Sequence, residues 1–574
     1  MLRPTRSWAL AKSGPIPADL AAAAARHGVS RRLLEILAAR GYGRPEQLDA
    51  FPGEPLAALH DPALLPDAAR LRSRLVLARE RGERAMVYGD FDADGLSALA
   101  VMVLALRAYG LAVEPYVPSR SGDGHGLSEP AVARAAATGC TVIVTVDCGT
   151  SSAAEIALAA GRGIDVLVTD HHHVPEQAPG AAALVNPQRL DSAYPDRQLT
   201  GAGVAFKVAQ LLLDDGPVGR ETWLDLADLA AIGTIADVAP LRGENRAIVR
   251  LGLARLRRDP RPGLAALLEA AGVSPARVAA EVVAFTIAPR LNAAGRVGEA
   301  TLAADLLLAS DATVAANLAA QLEAANRTRR DLLAVALDEA RDAVGEPGTA
   351  PAIVVAGPWP IGLIGLVAGR LADEHRRPVV VFSTEAEPLR GSARSPAGGL
   401  DLADAFAACA EHFVRFGGHA DAAGGDLRPG RIEAFRAEFL ALAGARPATE
   451  TEPPLRLDLA VPIAEIDYPL LRELARLEPV GPGNPAPHVA VLGAPVTRVR
   501  PVANGHVQLT LAKGREVLDV IAFGRADLAA RVAPGDRLDI VGRLGTRTYG
   551  GFESLQLELV DAATAGATPG VVPS

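Results

Sequence analysis

The chain has 574 residues, more than a single hydrophobic core accommodates, so three or four domains are expected. Its 49% hydrophobic and 22% charged residues describe ordinary globular protein and exclude a disordered chain. The net charge of −9 argues weakly against a nucleic-acid binder, yet a binding groove needs only a locally positive field. Arg far outnumbers Lys, and Arg is the residue better suited to bidentate phosphate contacts. The three cysteines, Cys140, Cys148 and Cys409, form no CxxC pair, so neither a disulfide framework nor a thiolate zinc site is supported. No stretch has the apolar core of a signal peptide or the length of a membrane span, so a cytoplasmic protein is expected.

In chain order, residues 1–80 read as a short helical N-terminal segment, rich in Ala and Leu and broken by prolines between Pro52 and Pro66. Residues 81–310 begin with Val- and Ile-rich runs alternating with helical stretches, the pattern of βαβ units and a parallel sheet, and continue as mostly helix from Gly201. Residues 311–345 read as one long connecting helix, with no Gly or Pro before Gly345. A second α/β pattern fills 346–450, and a Pro-containing linker follows near ATETEPPLRLD. Residues 455–565 carry five short alternating segments separated by turn residues, which suggests a small barrel of the OB type.

Four clusters carry the chemistry. The first, Tyr88-Gly89-Asp90-Phe91-Asp92-Ala93-Asp94-Gly95, sits where a predicted strand gives way to a helix, the edge at which open α/β sheets bind ligands. Three acids in five residues repel one another unless cations hold them together. An EF-hand loop is excluded, because apolar helix follows where its twelfth-position Glu belongs. The second is Val146-Asp147-Cys148-Gly149, again after a β run, where a lone Asp would ordinarily be a helix cap. The third, Thr169-Asp170-His171-His172-His173, also ends a strand. The fourth is Asp237, a single acid in an apolar stretch, costly to bury without a partner or a metal. Oxygen and imidazole donors of this kind suit a pair of Mn²⁺ or Mg²⁺ ions. Such ions, roughly 3.5–4 Å apart, serve in-line displacement at phosphorus.

The order DxDxDG, VDCG, TDHH and isolated Asp resembles the DHH phosphoesterase superfamily. Further stretches resemble its branch of single-stranded-DNA-specific 5′→3′ exonucleases: PSRSGDGHGLS (118–128), VTDHHHVPE (168–176), AIGTIADVAPL (231–241), APRLNAAGRVG (288–298), WPIGLIGLVAGRL (359–371), GSARS (391–395), FGGHADAAGG (416–425) and PVGPGNPAP (479–487). The resemblance runs from about residue 80 to the C-terminus. It implies a DHH domain and a DHH-associated α/β domain joined by the long helix, with Asp92, Asp94, Asp147, His171 and Asp237 as metal ligands. Asp90, His172 and Asp170 take catalytic or orienting roles by the same resemblance. Ser392, Arg394 and Ser395, read as a Gly-rich phosphate-binding turn, join His419, Arg290, Asn292 and Arg296 as substrate contacts. In the barrel, Arg515, Phe523, Arg525, Arg547, Tyr549 and Phe552 are candidates for single-strand binding by stacking and charge.

Two positions depart from that branch: Pro360 stands where it has His after the Trp, and Ala393 stands where GSGRS has Gly. The activity implied is release of 5′-mononucleotides from single-stranded DNA in recombination and repair. The partners implied are a single-strand-binding protein and a RecQ-type helicase. The competing expectations are a phosphodiesterase of short oligonucleotides or cyclic dinucleotides, and a non-catalytic replication scaffold.

Overall fold

The computed structural model describes residues 2–119, 126–214, 219–396, 398–445 and 454–568, apart from the side chains of Ala50 and Tyr549. The expected linker therefore lies largely outside the described residues. The chain divides into two compact units, one of residues 60–239 and 248–450, the other of 1–59, 240–247 and 451–574.

The larger unit opens with a five-stranded, all-parallel sheet. Its strands lie in the spatial order Ala112–Tyr116, Arg84–Tyr88, Cys140–Val146, Asp165–Thr169, Ala183–Val185. The strands are near-continuous Val, Ile, Leu and Ala runs because both faces of a parallel sheet are covered. Helix Ala93–Ala108 is buried on almost every side, as its uniformly apolar sequence requires. Chain order reverses between strands Arg84–Tyr88 and Cys140–Val146, so the sheet has a switch point with a crevice at the carboxyl ends of these two strands.

The polar-faced stretch after residue 310 is a single helix, Ala312–Val344, about 50 Å long at 1.5 Å per residue. The Asp311 side chain caps its start, accepting from Thr313 N and Val314 N, and Gly345 ends it with φ 58°. Its first half packs on helices Pro262–Ala270 and Ala288–Val297, and its second half on helix Ile361–His375 and strand Ile353–Gly357. The second sheet is mixed, in the order Phe413–Gly418, Ala422–Leu427, Leu389–Arg394, Val379–Ser383, Ile353–Gly357, with only the last two parallel.

In the smaller unit, five strands close into a barrel: Val489–Val502, His506–Lys513, Glu516–Ala522, Arg537–Tyr549 and Phe552–Thr564. The first pairs with both the second and the fourth, and the third runs parallel to the fifth, which is the OB connectivity. Three N-terminal helices, Ala18–Arg26, Arg31–Ala39 and Pro45–Ala50, share a core with this barrel region. A short strand that periodicity does not reveal, Trp8–Leu10, pairs in parallel with Leu455–Leu457. The Trp8 indole donates to Asp561, 2.8 Å away.

The stretch PVGPGNPAP acts here as a polar knot. Buried Arg40 donates to Asp458 (3.0 Å), to Asn484 (2.8 Å) and to the Pro485 carbonyl, while Asn484 donates to the carbonyls of Leu477 and Pro479. Arg40 and Asp458 side chains are 2% and 4% exposed, so truncating one partner strands the other charge in a dry interior. Arg40→Ala should therefore cost about 3–5 kcal/mol, read as a lower thermal midpoint of this unit. A midpoint unchanged from wild type would show that the knot contributes no net stability.

Candidate metal centre and nucleotide cleft

The two strands that flank the switch point deliver the acids. After strand Arg84–Tyr88 the chain turns into helix Ala93–Ala108, and the local role of Asp92 is to cap it: its Oδ1 accepts from Asp94 N and Gly95 N at 2.9 and 3.0 Å. Asn292, from helix Ala288–Val297, accepts from Ala93 N at 2.8 Å and completes the cap. Asp94 points into the interior, where Gly201 N and Ala202 N, at the start of helix Gly201–Leu213, donate to its two oxygens at 2.8 and 2.9 Å. A helix N-terminus favours a carboxylate there.

Asp147 follows strand Cys140–Val146 with φ 60°, a left-handed backbone uncommon outside glycine, held by its N–H bond to Thr169 O. Val238, next to Asp237, holds the same strained φ of 60°, although its side chain is β-branched. Two glycines make room for the acids: a Cβ on Gly201 would lie 2.4 Å from Asp147 Cβ, and one on Gly233 would lie 2.3 Å from Asp94 Oδ1.

His171 sits at the centre. Its Nε2 lies 2.9 Å from Asp147 and 3.8 Å from Asp94, and its Nδ1 lies 4.0 Å from Asp237. Asp90, Asp92 and Asp147 form a second cluster of donor atoms, and Asp147 shares a further one with His171 and His172. Asp237 ends helix Ala227–Ala236 with 37% of its side chain exposed, and it joins Asp94 and His171 in one cluster of donor atoms. His173 is exposed and outside the clusters.

Electrostatics show the strain of this arrangement. Burial, reinforced by Asp92, pushes Asp94 up to about 7. Burial and Asp94 raise Asp237 to about 7 despite its partial exposure, because the concave site desolvates it. Burial and the surrounding acids lift Asp147 well above the carboxylate range. Burial lowers His171. Asp147 Oδ1 and His171 Nε2 are buried and form no hydrogen bond, and this set of oxygen and imidazole donors fits divalent cations.

Asp170 behaves oppositely. Burial alone would raise it, but bonds from His172 and from Thr150 N hold it well below the usual range. Its 2.8 Å contact to His172 Nδ1 raises that imidazole to about 9. Asn186 fixes the same turn by donating to His172 O and to Thr150.

A cavity of about 650 Å³ opens over the acids. Asp90, Asp147, Asp170 and His172 line one side, and Arg390, Arg415, Phe416 and His419 from the mixed sheet line the other. His419 is thus brought to the site. GSARS is not a turn: Gly391–Arg394 ends a central strand whose register pairs it with both neighbours, so its amides belong to the sheet ladder rather than to a phosphate nest. Ser392 and Arg394 pack instead beside Gly365 of helix Ile361–His375, whose N-cap is Pro360, and Arg394 bonds Ser392 and the Ala393 carbonyl. Ala393, on the opposite face, is core. Arg290 is committed to Glu323 (2.7 Å) and Thr286 O, and Arg296 bonds Gly362 O.

In the barrel, Phe523 and Phe552 are exposed and Arg515 sits at a hairpin turn, while Asp527 holds Arg525. Arg547 lies on the strand Arg537–Tyr549, and the Tyr549 side chain lies outside the described residues. Sequence reasoning missed Gly201, Gly233, Arg390 and Arg415.

Family models match along the whole arrangement: the DHH family N-terminal domain over residues 84–234 and the DHHA1 domain over 351–445. Parallel sheet, acid clusters and mixed sheet thus define a DHH-class phosphoesterase, and the RecJ OB domain model matches residues 457–561. The chain is 35% identical over 538 residues to the single-stranded-DNA-specific exonuclease RecJ of Bacillus subtilis, covering 92% of this chain and 67% of that one. With RecJ of Dickeya dadantii it is 34% identical, covering 92% and 94%. The crystal structure of Thermus thermophilus RecJ with Mn²⁺ superposes with a TM-score of 0.83 at 33% identity, covering 99% of this chain and 80% of that one. The chain belongs to the RecJ family.

The raised acids predict a metal-linked stability. Asp94 and Asp237, near 7 when folded and near 3.8 when unfolded, and His172, near 9 against 6.5, bind more protons folded than unfolded. Between about pH 6.5 and 8 the metal-free chain should therefore lose stability as pH rises. Mn²⁺ should stabilise it by about 2.7 kcal/mol at about 100-fold excess over Kd. It should also reverse the slope, since the ligands bind only when deprotonated. Melting in EDTA and in Mn²⁺ reads both, and a midpoint indifferent to Mn²⁺ would refute the metal centre.

Proposed function

We propose that this chain hydrolyses single-stranded DNA from the 5′ end, releasing 5′-mononucleotides, with two Mn²⁺ or Mg²⁺ ions. The observation that carries it is the convergence of Asp90, Asp92, Asp94, Asp147, His171 and Asp237 at the switch point, under a cavity whose far wall is cationic. Family membership supplies the substrate and the polarity: the Bacillus and Thermus relatives are single-stranded-DNA-specific exonucleases, and Thermus RecJ has been solved with Mn²⁺ and with Mg²⁺.

Asp92, Asp94, Asp147, His171 and Asp237 would hold the ions, and Asp147 is common to two of the donor clusters. When bound, the ions supply water activation and charge neutralisation at the leaving oxygen. The chain's own residues do the rest. Asp170 fixes the His172 ring through Nδ1, which leaves Nε2 for the cavity, where an imidazolium offers a proton and a positive charge to a phosphate oxygen. Asp90 sits beside Asp92 and Asp147 as a further ligand or orienting acid.

Specificity for single strands requires that the cavity, walled by residues of the DHH and DHHA1 domains, admit one strand and exclude a duplex. Exposed Phe523 and Phe552, with Arg515 and Arg547, suit the barrel to single-strand binding. No described helix is long and apolar enough to cross a membrane. The setting that fits is DNA recombination and repair in the cytoplasm, with a single-strand-binding protein and a RecQ-type helicase as partners.

End-labelled single-stranded DNA with Mn²⁺ tests the reading. The 5′ label should leave first as mononucleotide, not from blunt duplex, and Asp147→Ala should abolish release. Asp170→Asn, which frees His172, should lower kcat about 10- to 100-fold. Release from the 3′ end would overturn the polarity, and cleavage of dinucleotides alone would favour a small-substrate phosphodiesterase.

A further inference from the structure

Three adjacent strands of the mixed sheet place Arg415, Asp426 and Arg390 in one register row: Arg415 pairs with Asp426, and Asp426 pairs with Arg390. The Asp426 carboxylate is shared, Oδ1 accepting from Arg390 NH1 at 2.6 Å and Oδ2 from Arg415 Nε at 2.5 Å. One carboxylate thus steadies two guanidinium groups and leaves a net positive charge. The Asp426 side chain is 10% exposed and that of Arg415 is 65% exposed. Among the described residues Arg415 spends only Nε, so its two terminal nitrogens are free for a ligand. Both arginines line the cavity that Asp147 and His172 line from the other side.

The floor beside this row is unusual. The next row on the same face is Gly417, Gly424 and Ser392. A Cβ at Gly417 would meet nothing within 4 Å, and its φ lies outside the left-handed region. Neither backbone conformation nor protein packing asks for glycine there, and a strand interior ordinarily disfavours it. A side-chain-free strip next to a pre-positioned guanidinium is what close approach of a ligand backbone needs.

We propose that Arg415, steadied by Asp426 and paired with Arg390, binds a non-scissile backbone phosphate of the strand, which lies along the Gly417–Gly424 strip. A planar guanidinium anchored through Nε presents its two terminal nitrogens as a fork, the geometry that grips a phosphate bidentately. Three strands fix the row, so the contact is organised before the ligand arrives. It deepens the nuclease reading above, on which it rests, by assigning a contact that positions the strand for that reaction.

The test compares Arg415→Ala and Gly417→Val with the unchanged chain. Binding of a labelled single-stranded oligonucleotide is followed by anisotropy in the hydrolysis-dead Asp147→Ala background with Mg²⁺, and KM and kcat are followed in the active chain. Arg415→Ala should raise Kd and KM roughly tenfold with kcat unchanged. It should also lower the slope of log Kd against log salt by about 0.7, the loss of one phosphate contact on a single strand. Gly417→Val should raise Kd and KM without lowering the melting temperature, since it adds a strand-favouring side chain in open space.

An Arg415→Ala chain of native melting temperature with unchanged Kd and salt slope would overturn the proposal. So would a Gly417→Val chain that binds as tightly as the unchanged one. If the active chain hydrolyses no DNA, the nuclease reading falls, while the binding comparison still decides this one.

Discussion

Buried carboxylates repel one another, and the larger unit is organised around that cost. Burial drives Asp94 and Asp147 upward, reinforced by Asp92 at the first and by Asp94 at the second, and among the described residues neither is paired with a lysine or arginine. The relief is partial and comes from backbone: two amides at the start of helix Gly201–Leu213 for Asp94, and a left-handed turn that aims Asp147 at His171. Gly201 and Gly233 permit distances that any side chain would forbid. A site assembled against its own electrostatics gains stability when cations enter, which makes metal affinity and the destabilised metal-free fold two faces of one arrangement.

Topology turns this local cost into a cleft. Reversal of strand order places the two acid-bearing turns side by side, and the long helix Ala312–Val344 packs on elements of both sheet-containing domains. The mixed sheet then sets Arg390 and Arg415 across the cavity from the acids. With an overall charge of −9, attraction for a polyanion must come from such local fields, of the metals on one wall and the guanidinium groups on the other. The pair Asp170 and His172 lies at the junction, its carboxylate buried and its imidazole reaching the cavity.

The parts of this centre that short-range pattern encodes were legible in the sequence. Asp90, Asp92, Asp94, Asp147 and His171 each sit at the end of an apolar run, and strand-end geometry brings such residues to one edge. The barrel strands were legible for the same reason, as period-2 alternation between turns. What depends on distant pairing was not. GSARS has the composition of a phosphate turn, and only its two neighbouring strands make it a central strand with occupied amides. Arg390 and Arg415 are ordinary in sequence; their meaning lies in the register with Asp426. Asp237 needed a partner in its apolar stretch, and only the fold, by ending its helix there, sets it beside Asp94 and His171. Strand Trp8–Leu10 has too few residues to show a period, and its partner lies more than 440 residues away.

The central claim is that the acids at the switch point exist to hold two cations. Crystals of the chain grown with Mn²⁺, measured at the manganese absorption edge, test it most directly. The account predicts two anomalous peaks roughly 3.5–4 Å apart, both within bonding distance of Asp147 and flanked by Asp92, Asp94, His171 and Asp237. A single peak, or peaks away from Asp147, would contradict it.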